Sequence, residues 1–318
     1  MKSIIDQYHP AGILLKGANI KTKDQLTKYI NAYKAYDTLK PLIISDEEGG
    51  VVARVAKSGI LPASQTSFGY SNAHAVGNTG DVNNAIHMGD VIGKYLSGLG
   101  INGDYAPVAD INSNPNNPII GTRAFGDTPA RVTEMVVGFL EGMAPHNVLT
   151  CLKHFPGHGD TSTDTHTEAA IVTKTWEQML ECEIIPFKEN MHKTDMIMVA
   201  HIIAQNIDPD TPASISYEII TNKLRNELGY NGIVTTDGME MAAITNDHTA
   251  GEAALAAIKA GCDMICCPSD TGIEGLLDDF VNAYNAILNA VKSGEITEAR
   301  IDESVNRIMK AKNKVYSL

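Results

Sequence analysis

The sequence predicts an α/β fold of the TIM-type (β/α) barrel kind, on three observations. Short apolar runs recur at 11–15, 41–45, 105–108, 148–152, 196–200, 232–236 and 263–267. Each is apolar on both faces, as parallel strands covered by helices are. Helical patterns fill the intervals, and no repeat, linker or shift of composition divides the 318 residues. The chain therefore reads as one domain over residues 1–318.

The helices follow in order. Thr22 and Gln25 form a capping pattern ahead of Leu26, Tyr29, Ile30 and Tyr33. Thr128 is a fitting N-cap with Pro129 behind it, and Val132, Met135, Val136, Phe139 and Leu140 share one face. The stretch 176–191 repeats the pattern, with Pro186 expected to kink or interrupt it. The Ala-rich segment 252–260 stops at Gly261, and a last helix starts near Thr297. A doubly wound sheet would want a Gly-rich phosphate turn after the first strand, and Lys16-Gly17-Ala18-Asn19 is not one. Seven runs are found where a closed barrel needs eight strands. The barrel is expected to be incomplete, with its first strand missing.

Composition narrows the function. The net charge of -13 repels phosphate backbones, so nucleic acid is not an expected partner. The opening Met1-Lys2-Ser3-Ile4-Ile5-Asp6 lacks the apolar core of a secretion signal, and no apolar run is long enough to span a bilayer. A cytoplasmic protein without membrane partners is expected. The five cysteines, odd in number and mostly inside apolar runs, read as free thiols.

Chemistry collects where the strands end, which is where barrels build sites. Asp46-Glu47-Glu48-Gly49-Gly50 follows the second run, and Asp110 and a loop reaching Arg123 follow the third. Lys153 and His154 follow the fourth, His201 the fifth, and Asp237 the sixth, within Thr-Thr-Asp-Gly-Met239-Glu-Met. Residues 153–166 pack three histidines, a lysine and two aspartates around a Pro-Gly turn, a composition that packing does not require. Carboxylates mixed with Arg, Lys and His suit a polyol, whose hydroxyls both donate and accept. The chemistry inferred is glycoside hydrolysis. Asp237 is the candidate anion, with Gly238 leaving room for a sugar. His166, oriented by Asp164 two residues earlier, is the candidate proton donor. The rival reading of that pair is a solvated loop.

The segments 153–166, 46–50, 114–127 and 236–241 together resemble glycoside hydrolase family 3, above all its single-domain bacterial β-N-acetylglucosaminidases. The resemblance runs through nearly the whole chain. It implies Asp237 as nucleophile of a covalent glycosyl-enzyme and His166 with Asp164 as acid/base. It further implies Asp46, Arg123, Lys153 and His154 as sugar-binding residues of the innermost subsite, with His201 and Met239 beside them. It implies no metal or other cofactor, and a small carbohydrate substrate from cell-wall or chitin-type oligosaccharides. Two departures stand out. Val51 replaces the arginine usual after Gly-Gly, leaving Arg54 as the nearest cation. The family's opening strand has no counterpart, so an open edge between 11–15 and 263–267 is expected, covered by a homo-oligomeric neighbour or left marginal.

Alternatives stay open: a β-glucosidase, β-xylosidase or phosphorylase of the same family, or an inactive sugar-binding member. A metal-dependent hydrolase using His154, His158, Asp160, Asp164 and His166 has fitting residue types but no helix-borne His pair.

Overall fold

Parallel strands form where apolar runs can be buried on both faces. A computed structural model describes residues 2–36, 39–161, 170–267 and 273–316. β1 (Gly12–Leu15) pairs parallel with β2 (Leu42–Ser45), and β2 with β3 (Gly103–Asp104). Parallel bridges from Gly103 to Leu149 and from Val108 to Lys153 carry the wall to β4 (Cys151–Phe155). The short β5 (Ile171–Val172) lies off the wall. β4 continues into β6 (Met196–Val199), while β7 (Ile203–Ala204) pairs with β5. β6 pairs with β8 (Ile233–Thr236), and Thr235 bridges in parallel to Met264.

The seven expected runs thus form one continuous parallel wall, with two adjustments. The third run ladders at Gly103–Asp104 and then follows β4 less regularly, through the Cys151 amide to the Ala106 carbonyl (2.8 Å) and the Ala109 amide to the Lys153 carbonyl (2.7 Å). Pro107 interrupts it because proline has no amide hydrogen to give a ladder. The fourth strand lies further along than 148–152 and takes Lys153 and His154 inside itself, since their side chains find buried partners. Among the described residues no pairing joins 263–267 back to β1.

The wall curls. Leu42, Ile44, Tyr105, Cys151, Met198 and Cys266 meet in one inner cluster, against which Leu14 of β1 and Met264 also pack. Side chains from the first and last segments can share a cluster only if the sheet bends round on itself. The opposite faces of the strands pack on helices in a larger outer cluster. Helix Pro129–Met143 is capped by Thr128, whose hydroxyl accepts from the Arg131 amide. The 176–191 stretch breaks into Trp176–Leu180 and Ile185–Asn190, with Pro186 in the first turn of the second. Helix Ala250–Ala260 starts from a Thr249–Glu252 capping box and ends on Gly261 at φ 118°.

Helix Glu298–Tyr316 stoppers the end of the wall where the strands begin. Ile308, Ala311 and Val315 enter the inner cluster. Its polar side chains tie to residues preceding four strands: Tyr316 to the Pro41 carbonyl (2.6 Å), Lys314 to Asp195 (2.6 Å), Arg307 to Asn231 (3.2 Å) and to Asp263 (3.0 Å). Among the described residues no element covers the strand ends opposite, and the candidate site lies there.

Candidate active site

A cavity of about 520 Å³ opens at the strands' C-terminal ends. Asp46, Arg123, Lys153, His154 and Asp237 all line it, although they come from different ends of the sequence. Four carboxylates (Asp46, Glu48, Asp237, Glu240) face four cations (Lys16, Arg54, Arg123, Lys153), so the cavity is polar but balanced in charge. A balanced cavity offers donors and acceptors without selecting for an ion.

The turn after β2 sorts its acids by alternation. Glu48 faces the cavity. Glu47 faces away, accepting from the Val55 amide (2.7 Å) and from Tyr95 Oη (2.8 Å), while its own amide donates to Asp104 (2.8 Å). Burial is the main reason the Glu47 carboxyl is raised to about 6. Gly49 and Gly50 turn the chain at φ 75° and 96°, which only glycine adopts freely. Val51 is exposed, and Arg54 instead returns to the cavity, 3.5 Å from Asp46.

On a regular strand Lys153 and His154 would point to opposite faces. The register slips between Leu152 and Phe155, and both side chains line the cavity. Lys153 Nζ lies 2.8 Å from Asp46 and 2.7 Å from Glu48. Arg123 grips Glu48 with two bonds, at 2.8 and 2.7 Å. Burial alone would raise the Glu48 carboxyl, but Arg123 and Lys153 hold it far below the usual carboxylate range. Asp110, fully buried, accepts from the His158 amide (2.6 Å) and meets His154 Nδ1 at 2.6 Å. It fixes the imidazole with Nε2 turned toward Arg123, 3.2 Å away.

Asp237 follows β8 and is partly buried against these cations. Burial pushes its carboxyl up, and His154, His201, the Gly238 amide (2.7 Å) and Lys153 outweigh it, bringing the value down to about 2. The carboxylate is therefore ionised at any physiological pH. His201 does not reach the cavity. Its ring sits between Ser214 Oγ (2.6 Å) and the Gly238 carbonyl (2.9 Å) and steadies the Asp237 turn from behind. Met239 packs in the outer core. The space at Gly238 is partly taken by Glu240, whose Oε2 would lie 2.5 Å from a Cβ there.

Asp164 and His166 lie outside the described residues. Glu48, Asp110, Lys16 and Glu240 join the site without a role that the sequence alone suggests. For Arg54 the signal was present, a cation eight positions after Asp46 on the same turn. For Lys16 and Glu240 there was none, because their meeting depends on the wall curling. Among the described residues no three His, Cys, Asp or Glu side chains converge as a metal site.

The model of the glycosyl hydrolase family 3 N terminal domain matches residues 1–311. A β-hexosaminidase A of Pseudoalteromonas piscicida is 32% identical over 99% of this chain and 55% of its own length. A β-hexosaminidase of Idiomarina loihiensis is 31% identical over 96% of this chain and 86% of its own. Among solved structures, a family 3 β-N-acetylglucosaminidase from a Paenibacillus strain superposes with a TM-score of 0.89 at 33% identity, covering 99% of this chain and 58% of that one. The chain thus spans little more than half of some of the relatives it matches. The matched span contains every strand of the wall and every cavity residue described above, and on that ground the chain belongs to glycosyl hydrolase family 3.

Proposed function

We propose that this chain carries the catalytic site of a retaining exo-β-N-acetylglucosaminidase that releases terminal β-linked N-acetylglucosamine. The carrying observation is Asp237: a partly buried, ionised carboxylate lining a charge-balanced cavity closed at one end. The curled wall is read as a (β/α) barrel with an opening at the seam between β1 and residues 263–267. Similarity to a solved family 3 β-N-acetylglucosaminidase supports reading the sugar as N-acetylated rather than as glucose or xylose.

In this reading the pyranose lies at the closed end, its hydroxyls bonded to Asp46, Arg54, Arg123 and Lys153. Asp237 attacks the anomeric carbon as the glycosidic bond breaks. The leaving oxygen takes a proton from His166, whose ring Asp164 orients. The resulting imidazole then removes a proton from water, and that water displaces Asp237 from the sugar. Both steps invert the anomeric centre, so configuration is retained overall. Among the described residues no helix is long and apolar enough to cross a membrane. A cytoplasmic role in recycling cell-wall fragments fits this reading.

A panel of nitrophenyl glycosides tests the proposal. N-acetylglucosaminide should be cleaved well ahead of glucoside and xyloside, with β-N-acetylglucosamine as the first product. An α-configured first product, or faster glucoside cleavage, contradicts it. Sugar phosphate as product when phosphate is supplied would identify a phosphorylase instead.

A further inference from the structure

The turn after β2 is a hairpin that brings side chains to the cavity from both of its arms. Asp46 and Glu48 stand on the first arm and Arg54 on the second, and all three line the cavity. Backbone bonds tie the arms together. The Glu48 amide donates to the Val52 carbonyl (3.0 Å) and the Arg54 amide to the Asp46 carbonyl (3.2 Å), while Glu47 and Ala53 form an antiparallel bridge.

Side-chain contacts do little to fix Arg54. Its Nη2 lies 3.5 Å from Asp46, long for an ion pair, and its buried Nε has no hydrogen-bond partner among the described residues. The guanidinium is therefore placed chiefly by the backbone that carries it.

Glu47 controls that backbone. Its side chain, fully buried behind the hairpin, reaches past Arg54 to accept from the Val55 amide (2.7 Å) and the Ala56 amide (3.0 Å). Tyr95, on helix Val82–Gly98, donates to the same carboxylate at 2.8 Å. The ionisable groups around it are Tyr95 from that helix, Asp104 from β3 and Asp46 beside it on the turn. Three donors on two oxygens suit an ionised carboxylate, and each of these bonds is roughly twice as strong to an anion as to a neutral acceptor.

We infer that Glu47 is a positioning residue for the sugar: its carboxylate clamps the second arm of the hairpin and so holds Arg54 in register with Asp46. This rests on the glycosidase reading above, in which Asp46 and Arg54 bond to hydroxyls of the terminal sugar. Glu47 itself touches no substrate. With its carboxyl raised to about 6 by burial, the clamp is ionised and firm above that value and slack below it. Affinity for the sugar should therefore weaken as pH falls through about 6.

The affinity for N-acetylglucosamine tests this, read as its competitive inhibition constant against nitrophenyl N-acetylglucosaminide from about pH 5 to about pH 8. Glu47→Gln stands in for the protonated acid. At the alkaline end the variant should bind the sugar roughly tenfold more weakly than wild type, the scale of a charge-assisted hydrogen bond. At the acid end the two constants should converge. Tyr95→Phe removes a donor that holds the Glu47 carboxyl down, so its loss of affinity should begin at higher pH than in wild type. An inhibition constant does not depend on how much of a preparation is folded, and Tyr95→Phe keeps the test open if Glu47→Gln folds poorly. A ratio between Glu47→Gln and wild type that stays constant with pH, or a wild-type profile that Tyr95→Phe leaves in place, overturns the inference. A wild type that cleaves no N-acetylglucosaminide at all overturns the proposed function instead.

Discussion

The two ends of the wall hold similar clusters of buried charge and use them differently. At the strand starts, Asp263 is buried among Arg225 (2.6 Å), Arg307 (3.0 Å) and Arg300 (3.8 Å), with Ser304 Oγ at 2.7 Å. At the strand ends, Lys153 and Arg123 surround Asp46 and Glu48 at comparable distances. The first cluster is sealed by helix Glu298–Tyr316 and binds protein to protein. The second borders open volume, and Arg123 and Lys153 hold its Glu48 carboxyl far below the usual carboxylate range. Residue types do not separate a structural cluster from a functional one here. What separates them is whether an element covers the cluster.

Four substitutions sharpen that contrast. Asp237→Ala removes the proposed nucleophile and should lower kcat by about four orders of magnitude or more, with the melting temperature nearly unchanged. Wild-type turnover would break the assignment. Asp263→Ala should do the reverse. Stranding its arginines should cost about 3–5 kcal/mol of stability in denaturant unfolding, while kcat/KM per folded molecule holds. A stable variant with damaged catalysis would erase the distinction between the ends. Glu48→Gln weakens the hold on Arg123 and Lys153 beside the proposed sugar site, and should cost roughly ten- to hundredfold in kcat/KM.

The smallest effect is a slope with pH. Folded Glu47 releases its proton at about 6, against a reference of 4.5. Between those values the folded state binds more protons than the unfolded one. Stability should therefore fall as pH rises through that window, by about 2 kcal/mol in all. Glu47→Gln should lose this part of the slope, and unfolding midpoints measured from pH 4 to 7 would report it. Parallel curves for both proteins would contradict the buried placement of Glu47.

Much of this was legible in the sequence, for physical reasons. The seven runs announced themselves because strands buried on both faces tolerate few polar residues. Asp46, Arg123, Lys153, His154 and Asp237 were findable because each follows or ends such a run. The slip that turns Lys153 and His154 to the same side was not, since alternation gives no warning of a bulge. Nor was the retreat of His201 behind Gly238, because a residue's place after a strand does not say which way its ring turns. Lys16 and Glu240 were invisible as a pair, since only the curl of the wall brings them together. Asp110 stood in view but without a partner, until the fold set it under His154.

The most direct measurement is covalent trapping. The wild-type chain would be treated with a fluorinated N-acetylglucosaminyl fluoride that forms the glycosyl-enzyme quickly and releases it slowly. It would then be digested and mapped by mass spectrometry. Asp237 should carry the sugar, one per chain, and Asp237→Ala should take up none. A sugar on any other residue, or none on an enzyme that still turns over its substrate, would contradict the account.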